Sequence, residues 1–309
     1  MTDALFLGFD GGATKTAATA INSEKEIIAE AVGQPANFQV IGVEKACQNL
    51  LEIAELLLKE ADASLSQVKS IYLGLAGAGR IEDADKLRSG FIDLLTNKIS
   101  PPPVVHVGSD AIAALEGAFC GKPGMILISG TGSILFAKDS AEKIHRVGGW
   151  GRFIGDEGSG YAIGRACLSA IAREFDGRGK PTLITQLLKS NANIHDAESL
   201  VRRVYQESFD IASAATIAIT AAENGDEVAI GIVDDAVKAL TEHISAMLGR
   251  IDGHLLLVLS GSLLINENLL SSRLRQSIAD NFPDLDIVQP KFSASVGAAF
   301  LALKLSKEQ

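Results

Sequence analysis

Residues 125–164 have the sequence MILISGTGSILFAKDSAEKIHRVGGWGRFIGDEGSGYAIG, and this stretch decides the fold. Two short apolar runs, 125–128 and 134–137, flank the small residues Ser129-Gly130-Thr131-Gly132-Ser133. An apolar run, a glycine-rich turn and a second apolar run predict a β-hairpin. Glycine lets a backbone approach an anion closely, and successive backbone N–H groups can bind that anion. The sequence therefore predicts a hairpin whose turn cradles an anion.

Two further glycine clusters follow the hairpin, Gly148-Gly149-Trp150-Gly151 and Gly155-Asp156-Glu157-Gly158-Ser159-Gly160. The carboxylates of the second cluster are typical either of a solvated turn or of a site that hydrogen-bonds to a polyhydroxylated ligand. Ordering so many glycines on folding costs conformational entropy, which favours a loop with a specific role over a flexible surface turn. Trp150 is the only tryptophan of the sequence, and it is either a core residue or a wall of that ligand pocket.

The same plan occurs earlier in the sequence. A short apolar run leads into Asp10-Gly11-Gly12-Ala13-Thr14-Lys15-Thr16, and a second apolar run follows. The turn is either a plain hairpin turn or a phosphate cradle, in which Thr14 and Thr16 donate hydroxyls and Lys15 adds charge. Asp10 at the strand end is suited to hold Mg²⁺ through water, because Mg²⁺ prefers one or two carboxylates plus phosphate. Two such hairpins favour an internal duplication, with one hairpin opening each of two similar lobes.

Three further positions stand at the ends of predicted elements. Asp110 lies between a predicted strand, 104–107, and a predicted helix, 111–119. It is either the N-cap of that helix or a general base, because α/β sheets place their sites at the carboxyl ends of strands. Gly261-Ser262 follows an apolar run. It either simply ends the strand or lets the backbone approach the face of a purine ring closely. Asn37 lies in a loop that contains glycine and proline, and by default it is a turn residue.

Composition and charge exclude several classes of protein. The 309 residues suffice for roughly two domains. The formal net charge of −10 makes binding to a nucleic-acid backbone unfavourable. Three cysteines without a CxxC pair indicate a reducing compartment, and with neither a signal peptide nor an apolar run of membrane-spanning length we expect a cytoplasmic protein. Neither a Walker motif nor a Rossmann glycine motif is present, and strands that alternate with helices predict an α/β fold.

Taken together, these motifs resemble the actin–hexokinase–Hsp70 ATPase superfamily. Residues 9–16 are similar to its first phosphate loop, residues 128–133 to its second, and residues 259–262 to its adenosine segment. Within the superfamily the chain resembles the BadF/BadG/BcrA/BcrD ATPase group, and more closely its N-acetylglucosamine kinase branch. The order and spacing of the second turn and the two glycine clusters carry this resemblance, which spans nearly the whole chain.

The resemblance implies an α/β fold of the two-lobed, actin-like ATPase (ribonuclease H-like) type, with an ATP cleft between the lobes. The expected lobes are residues 1–120 plus 293–309 and residues 121–292, with the last helix packed on the first lobe. The implied activity is that of an ATP-dependent amino-sugar kinase of the N-acetylglucosamine or glucosamine type, which transfers the γ-phosphate to the sugar 6-hydroxyl. The implied cofactors are ATP and Mg²⁺. The expected partner is a small-molecule sugar, without nucleic acid or membrane, and the sequence is compatible with a homodimer.

The resemblance also assigns site residues. Asp110 matches the family's general base, which draws the proton from the sugar 6-hydroxyl. Ala13 stands where a third glycine is common, which is tolerable only if its φ is negative. The expected sugar contacts are Asn37, Asp110, Ser133, Gly149, Trp150, Gly151 and Asp156. The expected nucleotide contacts are Gly11, Gly12, Thr14, Lys15, Thr16, Gly130, Thr131, Gly132, Ala212, Gly261 and Ser262, and the expected metal ligand is Asp10.

Two other functions stay open. The first is an activator ATPase of a dehydratase or reductase, a class whose cysteines bind a 4Fe–4S cluster shared in a dimer. Cys47, Cys120 and Cys167 do not fall on that pattern, and Asp156-Glu157-Gly158 belongs to the sugar-kinase side. The second is a non-catalytic sugar sensor, which would need an added DNA-binding module. The sugar itself is left open among N-acetylglucosamine, glucosamine, N-acetylmuramic acid and another hexose.

Overall fold

The computed structural model of the chain describes residues 4–12, 14–75, 77, 81–251, 253 and 255–307. Ala13, for which we expect a negative φ, lies outside the described residues. The chain divides into two compact units, Met1–Gly124 with Gln289–Gln309 and Met125–Val288. The lobe boundaries expected from the resemblance, 120/121 and 292/293, stay a prediction, as does the ATP cleft.

Strands and helices alternate along the chain, as the sequence predicts. The strands are β1 Leu5–Gly11, β2 Thr16–Ile21, β3 Ile27–Gly33, β4 Val68–Leu75, β5 Val104–Ser109, β6 Gly124–Ser129, β7 Ser133–Lys138, β8 Ile144–Gly148, β9 Leu256–Ser260 and β10 Asp286–Ile287. The helices are α1 Phe38–Ile41, α2 Val43–Glu60, α3 Ile81–Thr96, α4 Asp110–Phe119, α5 Gly160–Phe175, α6 Leu183–Ala192, α7 Ala197–Tyr205, α8 Ala214–Glu223, α9 Glu227–Leu248, α10 Ser262–Ile265, α11 Leu269–Asn281 and α12 Ala294–Leu305, with short 3₁₀ turns at Leu65–Gln67 and Ile211–Ser213.

The sheet of the first unit has the strand order β3-β2-β1-β4-β5. Short turns join β1, β2 and β3 into an antiparallel meander. The strands β4 and β5 run parallel to β1, because the intervening helices α2 and α3 carry the chain back to the same end of the sheet. The carboxyl ends of β1, β4 and β5 therefore lie at one edge.

The sheet of the second unit repeats this order. It runs β8-β7-β6-β9-β10, so that β6 takes the place of β1 and β9 the place of β4. The strands β7 and β8 pair antiparallel, whereas β9 lies parallel to β6 and β10 parallel to β9. The matching order agrees with the internal duplication favoured by the two glycine-rich hairpins.

The central strands β1 and β4 of the first sheet are buried on both faces, and successive side chains of each strand point to opposite faces. Leu5, Leu7 and Phe9 of β1 belong to one cluster, which also contains the apolar faces of α2 and α3. Phe6 belongs to another cluster, which contains Tyr72 of β4 together with side chains of α4 and α12. Helices thus cover the centre of the sheet on both sides.

The helix α12 packs closely on β1 because glycines stand at the contact. A Cβ on Gly8 would lie 2.0 Å from the backbone nitrogen of Ala299, and a Cβ on Gly297 would lie 2.0 Å from the carbonyl oxygen of Ala113. The Thr19 hydroxyl donates a buried hydrogen bond of 2.9 Å to the Ser295 hydroxyl. Residues 294–305 therefore complete the core of a unit that begins almost 300 residues earlier in the chain.

The second unit has its own core, built between its sheet and the long helices. Met125, Leu127 and Leu135 are fully buried there, together with apolar side chains from α5, α8 and α9. The helix α5 begins directly after the second glycine cluster, and its N-cap Ser159 accepts a hydrogen bond from the Ala162 N–H. Within the described ranges, no helix combines the length and apolarity needed to cross a bilayer.

Candidate active site

Two carboxylates stand at the carboxyl edge of the first sheet. Asp10 of β1 pairs with Gly74 of β4, and Gly74 pairs with Gly108 of β5, two residues before Asp110. A Cβ on Gly74 would lie 3.0 Å from the Ala113 Cβ and 3.6 Å from the Asp110 Cα. The missing side chain at Gly74 thus lets the beginning of α4, with Asp110, approach the strand next to Asp10.

Asp10 holds its proton more tightly than an ordinary aspartate. Burial raises its pKa from 3.8 to about 6, and the negative charge of Asp110 adds to this, while the charge of Lys15 opposes it. Such a site favours a proton or a cation beside the carboxylate. Among the described residues no group of three or more His, Cys, Asp or Glu side chains is placed to hold a metal ion. A donor set of one or two carboxylates fits Mg²⁺, which keeps water and phosphate as its remaining ligands.

Asp110 is the first residue of α4, and the N-cap is its neighbour Ser109. The Ala111 N–H donates to the Asp110 Oδ1 at 2.8 Å and to the Ser109 Oγ at 3.2 Å. The Ser109 hydroxyl also donates to the Asp110 Oδ1 at 3.3 Å. In the part of the chain that the structure describes, nothing donates to the other oxygen, Oδ2. The N-cap role proposed as the alternative for Asp110 is therefore wrong, and one of its oxygens is left to accept a proton.

The first glycine-rich turn is closed by a hydrogen bond from the Gly12 N–H to the Lys15 carbonyl, 3.0 Å. Asn37 donates its backbone N–H to the Gly12 carbonyl at 3.3 Å, and its side chain caps α1 by accepting from the Gln39 N–H. The structure thus brings Asn37 to the turn. The side chains of Thr14 and Lys15 are exposed, whereas Gly11 and Thr16 are buried.

The predicted nucleotide contacts of the second unit converge on Gly130. The Gly160 N–H donates to the Gly130 carbonyl at 2.7 Å, and a Cβ on Gly160 would lie 3.6 Å from the Ala212 Cβ. Gly261 has a φ of +86°, and a Cβ there would lie 2.2 Å from the Ser129 carbonyl oxygen. A Cβ on Gly130 would in turn lie 4.0 Å from the Ser262 hydroxyl. The turn, the beginning of α5 and the end of β9 therefore meet at one place in this unit.

Asp156 contacts both Gly151, a predicted sugar contact, and Gly132 of the second glycine-rich turn. Its φ of +57° is uncommon for a residue with a side chain. Its Oδ1 accepts from the Gly151 N–H at 3.1 Å, and a Cβ on Gly132 would lie 2.9 Å from its Oδ2. Burial raises the pKa of this carboxyl, and hydrogen bonds from the Gly151 and Ser133 N–H groups oppose that rise. Backbone N–H groups of the second turn (Ser133) and of the first glycine cluster (Gly151) thus both donate to the Asp156 carboxylate.

Two buried serines strengthen the same connection. The Ser133 hydroxyl donates to the Glu157 carbonyl at 2.6 Å, and the Ser129 hydroxyl donates to the Gly158 carbonyl at 2.9 Å. Both side chains are almost completely buried. The hydroxyl of Ser133, a predicted sugar contact, is therefore engaged within the protein.

Trp150 is 64% exposed, so the core alternative for this residue is wrong and the wall of a ligand site is favoured. The Arg146 guanidinium lies 4.6 Å from the centre of its ring. Gly149 before it has a φ of +69°, and a Cβ there would lie 2.3 Å from the Ile134 Cδ1. The backbone before Trp150 therefore lies close against Ile134 of the second hairpin.

Sequence reasoning missed Gly74, and it placed Gly160 in the second glycine cluster without predicting its packing role. Both permit a close approach of a helix N-terminus, α4 in the first unit and α5 in the second. A signal was available for Gly160, which stands between a glycine-rich turn and a predicted helix, whereas Gly74 lies within a strand. Nothing in the sequence, however, separates such a glycine from one in an ordinary loop.

Two α/β units with one strand order, each carrying a glycine-rich turn in its first hairpin, define an actin-like ATPase fold. A solved structure from Chromobacterium violaceum, provisionally described as an N-acetylglucosamine kinase, has this fold. It matches with a TM-score of 0.77 at 24% identity, covering 98% of this chain and 100% of that one. The predicted fold class is thereby confirmed.

The chain belongs to the BadF/BadG/BcrA/BcrD ATPase family, which matches residues 7–302. The N-acetyl-D-glucosamine kinase of Dictyostelium discoideum is 29% identical to it, over 99% of this chain and 100% of that protein. The N-acetylmuramic acid/N-acetylglucosamine kinase of Clostridium acetobutylicum is also 29% identical, over 96% and 97% of the two chains. The predicted family is confirmed, and ATP is the nucleotide that membership of it implies.

Proposed function

We propose that this protein is an ATP-dependent amino-sugar kinase of the N-acetylglucosamine or glucosamine type, which transfers the γ-phosphate of ATP to the sugar 6-hydroxyl. The family and the two relatives named as amino-sugar kinases support the proposal. The observation that carries it is the pair of carboxylates, Asp10 and Asp110, at one strand edge beside a glycine-rich turn. Phosphoryl transfer needs positioning, charge neutralisation and a base, with little covalent work by the protein.

Asp110 is the proposed general base. Its Oδ1 is fixed by the Ala111 N–H and the Ser109 hydroxyl, which orients the carboxylate and leaves Oδ2 to take the proton of the sugar 6-hydroxyl. The sugar oxygen then attacks the γ-phosphorus, the bond from that phosphorus to the β–γ bridging oxygen breaks, and ADP leaves. A base positioned in this way contributes about 10²- to 10⁴-fold to the rate.

Asp10 is the proposed ligand of Mg²⁺. The raised pKa of this carboxyl and the neighbouring charge of Asp110 support a cation at this edge. When bound, Mg²⁺ supplies positive charge to the phosphates of ATP. We propose that the first turn binds these phosphates through the N–H groups of Gly11 and Gly12 and the side chains of Thr14 and Lys15, with the buried Thr16 behind them.

The second unit supplies the remaining proposed contacts. Gly130, Thr131, Gly132, Ala212, Gly261 and Ser262 are proposed to bind the nucleotide, which the convergence of most of them on Gly130 supports. The proposed sugar contacts in this unit are Gly149, Trp150, Gly151 and Asp156, and Asn37 is proposed from the first unit. Because the Ser133 hydroxyl is engaged by Glu157, we propose that Ser133 acts on the sugar through Asp156.

The iron–sulfur activator is not favoured by the environment of two of the three cysteines. Cys47 and Cys167 are buried in the cores of the two units. Burial raises the pKa of Cys47 to about 11 and that of Cys167 to about 12. Iron–sulfur clusters are held by thiolates, and buried thiols of this kind cannot reach a cluster shared with a second chain.

The kinase proposal is tested by measuring ADP release with a panel of N-acetylglucosamine, glucosamine, N-acetylmuramic acid and glucose. We expect release that depends on one amino sugar and yields one phosphorylated sugar per ADP, with the phosphate on O6 by phosphorus and proton NMR. The 6-deoxy analogue of the preferred sugar is the matched control and should bind without reacting. ADP release that is independent of every sugar would reject the proposal, and sugar binding without any ATP consumption would favour a sensor.

A further inference from the structure

A cavity of about 480 Å³ lies in the second unit beside the second glycine-rich turn. Its walls include Thr131 of that turn, together with Arg152, Phe153, Tyr161 and Asp210. This volume lies within the usual range for small-molecule sites. The cavity thus shares a wall with the proposed nucleotide site.

Arg152 is held at this cavity by two aromatic rings. Its guanidinium carbon lies 5.1 Å from the centre of the Phe153 ring and 5.5 Å from that of Tyr161. Cation–π contacts at such distances are attractive. Tyr161 is itself tied to the turn, because its backbone N–H donates to the Thr131 carbonyl at 3.2 Å. The two rings therefore position the solvent-exposed Arg152 side chain near the turn.

The positive charge of Arg152 is not neutralised by the protein. No carboxylate lies within 4 Å of its guanidinium among the residues that the structure describes. Asp210 lines the same cavity, but its Oδ1 accepts from the Ala212 N–H at 3.1 Å. In a protein with a net charge of −10, a stacked and unpaired arginine beside an anion-binding turn indicates an anionic ligand.

The second turn lacks a cation of its own. The first turn contains Lys15, whereas residues 129–133 contain only serine, threonine and glycine. Arginine is suited to phosphate, because its planar fork donates two parallel hydrogen bonds and is always charged. We infer that Arg152 is a phosphate-binding residue, which supplies to the outer phosphates of the nucleotide the positive charge that the second turn lacks. This inference rests on the proposed use of ATP by this site.

The test compares ATP and AMP binding by calorimetry, without sugar, in wild type, Arg152→Gln and Arg152→Lys. If Arg152 holds the outer phosphates, Arg152→Gln weakens ATP binding about tenfold, which corresponds to about 1.4 kcal/mol, and leaves AMP binding within about twofold. Arg152→Lys keeps the positive charge and should lose less ATP affinity than Arg152→Gln. Steady-state kinetics should show a raised KM for ATP with the sugar KM unchanged.

Arg203→Gln is the matched control. Arg203 also stacks on a ring of this cavity, 5.7 Å from the centre of Phe209, but its guanidinium donates to the Glu207 carboxylate at 2.8 Å. We expect no change in ATP affinity for this variant. Equal losses for ATP and AMP in Arg152→Gln, or no loss for either, would overturn the inference. Because sugar is absent from the calorimetry, a failure of the kinase proposal would show separately, as absent sugar phosphorylation by wild type.

Discussion

The two sheets have one strand order, but the edges at which their central strands end carry different chemistry. In the first unit, β1 ends in Asp10-Gly11, and Asp110 follows β5. In the second, β6 ends in Ser129 before Gly130, and Gly261 follows β9. Carboxylates thus stand at one edge, and a hydroxyl and glycines stand at the other. The same strand order thus presents carboxylates, to which we assign the proposed metal and base roles, in one copy, and close backbone contacts in the other.

A second pair of positions sharpens the comparison. Thr16 begins β2 and Ser133 begins β7, and both side chains are buried. The Ser133 hydroxyl donates to the Glu157 carbonyl, whereas the Thr16 hydroxyl has no partner among the described residues. The residue at this position therefore links two segments by a hydrogen bond in the second unit, whereas in the first unit its buried hydroxyl has no hydrogen-bond partner among the described residues.

The largest effect is expected from Asp110→Asn, which removes the base and keeps the shape of the side chain. Turnover should fall about 10²- to 10⁴-fold, because an amide cannot take the proton of the sugar hydroxyl. Sugar and ATP binding, measured by calorimetry, should stay within a few-fold of wild type. Asp85→Asn is the control, since Asp85 is an exposed residue that pairs with Arg88. Near-wild-type turnover in Asp110→Asn would refute the proposed difference between the two edges.

Asp10→Asn should change stability in a pH-dependent way. The pKa of Asp10 is raised from 3.8 to about 6 in the folded protein, so wild type without nucleotide or metal loses stability as the pH rises between these values. Two pKa units correspond to about 3 kcal/mol, an upper limit. The variant should therefore be more stable than wild type at pH 8 but not at pH 3.5, by urea unfolding.

Ser129→Ala is the matched variant in the second unit, and its effect should be independent of pH because no carboxylate is changed. A stability difference for Asp10→Asn that is constant from pH 3.5 to pH 8 would show that the carboxyl titrates normally.

The effects of Ser133→Ala and Thr16→Val on the free energy of unfolding should differ in sign or size. Removing the Ser133 hydroxyl leaves the Glu157 carbonyl without this part-buried donor and should cost about 1 kcal/mol. Thr16→Val replaces an unpartnered buried hydroxyl with a methyl group and should be neutral or stabilising. Hydrogen exchange of β7 and of β2 measures the two effects separately. Equal destabilisation by both variants would mean that the Thr16 hydroxyl has a structural role as large as that of Ser133.

The smallest effect is expected from alanine at the turn glycines. A Cβ on Gly132 would lie 2.9 Å from the Asp156 carboxylate, whereas a Cβ on Gly12 would lie 3.3 Å from the Lys15 carbonyl oxygen. Gly132→Ala should therefore displace Asp156 and weaken sugar binding about fivefold, which corresponds to about 1 kcal/mol. Gly12→Ala should leave sugar binding unchanged. Calorimetry with the preferred sugar distinguishes the two, and equal affinities for both variants would argue that Asp156 does not depend on the turn.

Much of this architecture is predictable from local sequence patterns. The two hairpins with glycine-rich turns, the α/β alternation and the position of Asp110 between a strand and a helix all follow from residue type and spacing. The strand β8 was not predicted, because its residues are mostly polar or partly exposed and its conformation depends on pairing with β7. The short helix α1 was also missed, since four residues are too few to show a helical period.

The details of the site depend on contacts that no local pattern contains. The sequence left open whether Trp150 is buried, because its 64% exposure depends on how the surrounding loop packs. It also could not assign the cap of α4, since Ser109 and Asp110 are both good capping residues. The role of Gly74 in β4 depends on α4, a helix that follows β5, so the sequence around Gly74 does not reveal it.

The closure of the first unit by α12 has a consequence for biosynthesis. The Met125–Val288 unit is continuous in the chain and can fold once its last strand has left the ribosome. The unit that begins with β1 must wait, because α4 alone covers this face of its sheet until residues 294–305 are translated. A nascent chain would therefore expose the apolar surface around Phe6 and Tyr72 throughout most of elongation, and chaperone binding during translation should concentrate on that unit.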